Sequence, residues 1–227
     1  MGKLISIVML LLMTSWSYAN DIYVTQSGAS LDLDITQDGQ NNTVGNSTTS
    51  SASAGASTTL NIDQVGNSNV ITYQINGATY TGVINLVGNS NNVDLNCDST
   101  GNNSSCGTAN AVINFTGNSN DIDLDIGQTS SANTADVDIV GQSGSDSNVV
   151  AATVDGNSAI LTITINGDTN NYLIDIDGNG DVNGHTLIHS HTGGTADVDI
   201  VQSGINDQYI NLTTSGDNHD IDIQQTD

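Results

Sequence analysis

A glycine recurring every 11 residues constrains this chain more than any other feature. Gly28 and Gly39 stand 11 apart, as do Gly66, Gly77 and Gly88, and again Gly156, Gly167 and Gly178. The register passes through Gly117, and Gly204 and Gly216 continue it at a spacing of 12. The positions six, four and two before these glycines are apolar or Gln: Leu33, Ile35 and Gln37; Leu60, Ile62 and Gln64; Ile71, Tyr73 and Ile75; Leu161, Ile163 and Ile165. Between them stand polar residues such as Asp32 and Asp34, Asn61 and Asp63, or Thr162 and Thr164. Alternation of this kind is the period of a half-buried strand. Turns such as Gly66-Asn67-Ser68-Asn69 follow, with Gly and Asn tolerating the positive φ that a tight reversal needs.

A strand and its turn fill a half-rung of 11 residues, and two halves make a rung of about 22. One rung cannot bury its own apolar face, so rungs must stack. The expected fold is therefore all-β, a β-solenoid of stacked strand–turn–strand rungs. Seven or eight rungs at roughly 4.8 Å each would span about 35–40 Å. An array of antiparallel hairpins is the rival that alternation alone leaves open.

The first residues read as a signal peptide over 1–19. Lys3 is followed by the apolar run Leu4 to Met13 and the small-x-small site Ser17-Tyr18-Ala19. The run is too short and its flank too polar for a stable transmembrane helix. Residues 20–227 then form the repeat domain, interrupted by loops expected at 46–59, a Ser/Thr/Ala tract, and at 98–110. The heptapeptide Thr134 to Val140 recurs as Thr195 to Val201, but the first copy inserts Gly141 before Gln142-Ser143-Gly144. One extra glycine in a strand suggests a β-bulge.

Charge narrows the partners. Lys3 is the sole cationic residue against 25 acidic ones, all Asp, so the exported chain would carry about −25 (25 Asp, no Lys or Arg). Nucleic acid and anionic membranes are thereby excluded, because binding them needs cationic side chains. Divalent cations, or a neutral or cationic glycan surface, remain compatible partners. The absence of Glu and Pro and the abundance of Val, Ile and Thr favour strands over helices.

Three windows read Q-x-G-x-x-N: Gln37 to Asn42, Gln64 to Asn69 and, more loosely, Gln202 to Asp207. This pattern resembles the curlin repeat of bacterial extracellular fibre subunits. The resemblance implies a β-solenoid in which inward amides form hydrogen-bonded ladders, here Gln26, Gln37, Asn42, Gln64, Asn69, Gln142 and Gln202. Many rungs depart from it, with Ile75, Leu86, Ile165 and Ile176 where the ladder Gln would stand.

Few residues suggest chemistry. Cys97 and Cys106 are expected to form a disulfide in an exported chain, worth about 2–3 kcal/mol through loop closure. Asp175, Asp177, Asn179, Asp181 and Asn183 resemble the front half of a calcium loop around Gly178, but Thr186 stands where the bidentate Glu belongs. Calcium is thus the metal candidate of this stretch, and no cofactor is implied. His185, His189 and His191 lie close together; His189 and His191 have the spacing of a Zn or Cu ligand pair, but also that of solvated imidazoles on a polar strand. No catalytic constellation stands out, and a polysaccharide lyase would lack the Lys or Arg its chemistry uses, so no enzyme is expected. The expected role is a secreted structural or adhesive repeat protein that self-assembles into an extracellular, cell-surface fibre or biofilm matrix. The alternative is a monomeric or trimeric surface or phage appendage module that binds a glycan or other surface ligand.

Overall fold

The computed structural model describes residues 20–24, 26–27, 29–39, 41–45, 51–55, 57–66, 68–77, 79–88, 90–97, 108–127, 134–142, 144–155, 158–177, 184–204 and 208–226. The signal-peptide expectation lies outside them. Among the described residues no helix is long and apolar enough to cross a membrane.

The strands run in chain order. Short β1 (Asn20–Ile22) and β2 (Gln26–Ser27) lead in, and then strands of two sheets alternate. β3 (Ser30–Asp38) is followed by β4 (Asn42–Val44) and β5 (Ser51–Gly55); β6 (Ser57–Val65) by β7 (Val70–Gly77); β8 (Thr79–Val87) by β9 (Asn92–Cys97). β10 (Thr108–Thr116) precedes β11 (Asp121–Ile126), and β12 (Thr134–Gly141) precedes β13 (Val149–Asp155). β14 (Ser158–Asn166) and β15 (Asn170–Asp177), β16 (Thr186–Thr192) and β17 (Ala196–Ser203), then β18 (Tyr209–Ser215) and β19 (His219–Thr226) complete the coil. The first member of each pair belongs to an eight-stranded sheet ordered β18-β16-β14-β12-β10-β8-β6-β3. The second belongs to the other sheet, which runs from β1 and β4 to β17 and β19.

Among the described residues all the strand pairings are parallel and join each turn to the next, so the fold is a β-solenoid. Antiparallel hairpins are ruled out. The turn length is less regular than the expected 22. Val149 stacks on Asn171 and Val70 on Asn92, 22 residues on, whereas Thr79 stacks on Thr108, 29 residues on. Side chains stack column upon column, which holds the phase; extra residues can then be accommodated between strands without disturbing it.

Leu60, Ile62, Ile71, Tyr73, Leu161, Ile163, Tyr172 and Ile174 are all buried between the sheets, and Asp32 and Asp34 face out, as the alternation predicts. The Ser/Thr/Ala tract is less of a loop than its composition suggests: Ser51–Gly55 pairs with β2 and β7, and 57–59 begins β6. Likewise 108–110 opens β10. Backbone pairing satisfies donors and acceptors whatever the side chains, so weak alternation did not prevent strand formation.

Gly141 is not a bulge. It occupies a ladder position between Phe115 and Ile165, and a Cβ on it would lie 2.7 Å from the Phe115 ring. The extra glycine makes room for the chain's one phenylalanine and displaces Gln142 to the exposed surface, so Gln142 is not a ladder residue. The duplicated heptapeptide therefore serves opposite sheets, in β12 and in β17, with its Ala, its first Val and its Ile buried in both.

Candidate functional site

At one corner of the coil, where the first sheet hands over to the second, a column of asparagines runs up the interior. Asn42, Asn69, Asn91, Asn120, Asn148 and Asn170 occupy successive turns and are buried. The amide nitrogen of Asn91 donates to Asn120 Oδ1 at 2.6 Å, Asn120 to Asn148 at 2.9 Å, and Asn148 to Asn170 at 2.8 Å. Each accepting oxygen also takes the backbone N–H of the asparagine below, at 3.0–3.2 Å. The second amide proton of Asn120 and of Asn170 goes to the carbonyl of the glycine three residues back, Gly117 and Gly167. Asn42 and Asn69 serve the backbone instead, Asn42 bonding Val65 O at 2.8 Å and Asn69 the Gln64 and Val87 carbonyls.

The stretch from Asn91 to Asn170 was not among the expected ladder residues. Its signal is present in G-x-x-N, where the sequence suggests Asn as a residue that takes positive φ. That backbone conformation belongs to Ser90, Ser119, Ser147 and Thr169, one position earlier. Buried amides at the next position satisfy one another from Asn120 to Asn170, because stacked copies supply both donor and acceptor, whereas Asn69 Oδ1 and Asn91 Oδ1 are buried without a hydrogen-bond partner.

The glutamine ladder is short. Gln64 donates to Gln37 Oε1 at 2.6 Å, and at the far end Gln225 donates to Gln202 Oε1 at 2.9 Å. Gln37, Gln64 and Gln202 are buried. The backbone of Gln26 pairs with Ser53. The two glutamine pairs belong to different columns, one in each sheet: Gln64 is followed by Leu86, Phe115, Gly141, Ile165 and His191, and Gln202 is preceded by Cys97, Ile126, Val154 and Ile176.

Turn glycines mark contact between successive turns. A Cβ on Gly66 would lie 1.9 Å from the Gly39 carbonyl oxygen, and one on Gly167 2.0 Å from that of Ser145. Gly88, Gly117, Gly204 and Gly216 have positive φ. Gly77 instead closes strand β7, and Gly28, Gly156 and Gly178 lie outside the described residues.

Cys97 is buried and disulfide-bonded; Cys106 lies outside the described residues. Of the calcium candidates, Asp175 is exposed on β15 and Asp177 ends that strand, while Asn179, Asp181 and Asn183 lie outside the described residues. Among the described residues no group of three or more His, Cys, Asp or Glu side chains is arranged to hold a metal ion.

The histidines are not solvated. His185, His189 and His191 are all buried, and β16 points His189 and His191 inward. Tyr172 OH lies 2.9 Å from His191 Nδ1, and its ring stands edge-on to His189 with centroids 4.4 Å apart. His219 stands edge-on to His191 at 5.3 Å. His185 Nδ1 accepts the Ala159 N–H at 3.0 Å. Burial, and secondly the His191 ring, push the His189 imidazole down to about 4. Burial and His219 also lower His191, against an opposing pull from Asp168. The interior tyrosines move the other way, burial raising the Tyr73 phenol to about 12.

Outside, asparagine often caps aspartate between turns. Asn61 donates to Asp34 at 2.8 Å, Asn85 to Asp63 at 2.6 Å and Asn96 to Asp125 at 3.1 Å. Like charges stack at Asp94 on Asp123, and at Asp197 on Asp220 beside Asp199 on Asp222. Partial desolvation, then Asp94 and Asp121, raise Asp123.

Among the described residues, nothing pairs with the outer edges of the coil at either end. β18 and β19 pair on one side only, as do β3 and β1. On β19 the inward positions Ile221 and Ile223 are 37% and 48% exposed, and Ile210 and Leu212 on β18 are half-buried. No family model, curated protein or solved structure matches this chain.

Proposed function

We propose that the chain is a secreted, non-catalytic structural subunit that adds to further copies end to end, forming a curlin-like extracellular fibre or matrix. One observation carries this reading: the two open ends present the same columns. The column that begins with Ile22 ends with Ile221, that of Leu33 ends with Ile210, and that of Ile35 with Leu212. A second copy displaced along the axis would set apolar upon apolar. Asn211 would meet the Asp34 column, repeating the Asn-on-Asp bond that Asn61 makes with Asp34. Unpaired strand edges supply the backbone donors and acceptors for such addition. Outward Asp residues oppose lateral clumping, and salt or divalent cations moderate that repulsion.

The glycan-binding alternative is less well served. Tyr73, Tyr80 and Tyr172 are buried, which leaves Tyr23 and Tyr209 as the exposed tyrosines among the described residues.

Electron microscopy and fibre diffraction of purified residues 20–227, with and without calcium, test the proposal. Fibres with an axial repeat of roughly 4.8 Å are expected, and Ile221→Lys with Ile223→Lys should slow their growth at least tenfold. Discrete particles at every concentration would sink the fibre reading, and glycan-array binding by those particles would favour the alternative.

A further inference from the structure

All four histidines of the protein sit within the last turns of the coil, and none is on its surface. His185, His189 and His191 are buried, and His219 of β19 reaches His191 from the turn above. Polar rings placed among apolar columns would ordinarily be hydrogen-bonded. Here both ring nitrogens of His189, Nε2 of His191 and both nitrogens of His219 are buried without a hydrogen-bond partner. His189 takes a place in a column otherwise built of isoleucine and leucine, between Ile163 and Leu212.

We propose that this cluster is a proton-operated latch on β16–β19: neutral rings keep the last turns closed, and protonated rings open them. The proposal has two parts. Opening of the last turns stands on the cluster itself, whereas its consequence for growth rests on the end-addition reading above.

The groups facing the cluster decide what a proton does there. β14, β17 and β18 offer it apolar or uncharged side chains, β15 offers Tyr172, and β19 offers His219. Asp168, in the turn before β15, favours a charge on His191, against burial and His219, which lower it. Tyr172 and the neighbouring imidazoles cannot neutralise an imidazolium. A ring that gains a proton must therefore reach water. The route of least resistance is at hand, because β18 and β19 are half-exposed and paired on one side only.

Folding in this region is linked to pH with a definite sign. The unfolded imidazole binds its proton near 6.5 and the folded His189 only near 4, so the closed state is fully favoured above about 6.5. It loses ground as pH falls between those values. At pH 5 the shift on His189 alone would raise the open population about thirtyfold. The described residues up to the end of β15 include no histidine and lack this response.

Site-resolved amide exchange on residues 20–227 at pH 7.5 and pH 5.0, corrected for intrinsic rates, reads this directly. Protection in β16–β19 is expected to fall at least tenfold while β8–β13 changes less than threefold. In His189→Leu, whose new side chain matches its column neighbours, and in His189→Leu with His191→Gln, the pH-dependent loss should shrink to a few-fold. Protection of β8–β13 at pH 7.5 verifies that each variant is folded. Unchanged wild-type protection in β16–β19 at pH 5.0 would overturn the latch, as would an equal loss in folded variants. Seeded growth at the two pH values separates the parts. A latch that opens without slowing growth leaves the latch intact and sinks the end-addition reading.

Discussion

A methyl group is enough to test how close the turns lie. Gly66 and Gly167 face the carbonyl of the turn before them at distances no Cβ tolerates. Gly66→Ala should lower stability by about 2 kcal/mol, seen as a reduced urea midpoint, because the backbone must move. Gly144 gives the contrast: space around it is open but its φ is +84°. Gly144→Ala should cost only the left-handed strain of about 1 kcal/mol. Gly141 depends on its neighbour. Gly141→Ala should destabilise by about 1–3 kcal/mol, and Phe115→Leu in the same chain should recover most of that loss in a double-mutant cycle. Glycine spacing is plain in the sequence, but the role of Gly141 is not, since it requires knowing that Phe115 stacks one turn away.

At the scale of the element, the buried asparagine column and the exposed Asn–Asp ladder use the same side chain at different stakes. Asn120 accepts from Asn91 and donates to both Asn148 and Gly117. Asn120→Ala would remove the side-chain partners of the Asn91 backbone N–H and the Gly117 carbonyl and one bond from each of the Asn91 and Asn148 amides, costing about 3 kcal/mol in denaturant unfolding. Asn61→Ala breaks a solvent-accessible bond to Asp34 and should change stability by less than about 0.5 kcal/mol. The strands themselves were readable from period-two alternation. Where alternation faded, as in Ser51–Gly55, pairing with β7 held the strand in place, and no local pattern reports such pairing.

For the whole molecule, acid acts in opposite directions on different regions. Asp123 holds its proton more tightly in the folded state, so its contribution to stability rises as pH falls through the carboxylate range. The same protonation relieves repulsion among the outward aspartates. His189 works the other way, losing its contribution as pH falls from about 6.5 towards 4. Thermal unfolding from pH 8 to 3 should therefore show a dip near pH 4–5 and partial recovery below it. His189→Leu should fill in the dip and leave the recovery. Raised salt at pH 7.5 should increase the melting temperature, because screening weakens self-repulsion.

The 11-residue register determined by itself that the chain forms strands, which residues face inward, and that turns must stack, because period-two alternation and recurrent glycine are local properties of the backbone. Tertiary structure alone decided that stacking is parallel, that turns vary in length, and that an asparagine column rather than a glutamine one runs through the middle. It also decided that identical heptapeptides serve opposite sheets and that histidines sharing a strand face point inward. These depend on which residue lies one turn above another, a separation that changes from 22 to 29 along the coil. A fixed period cannot carry that information; the contacts between turns do.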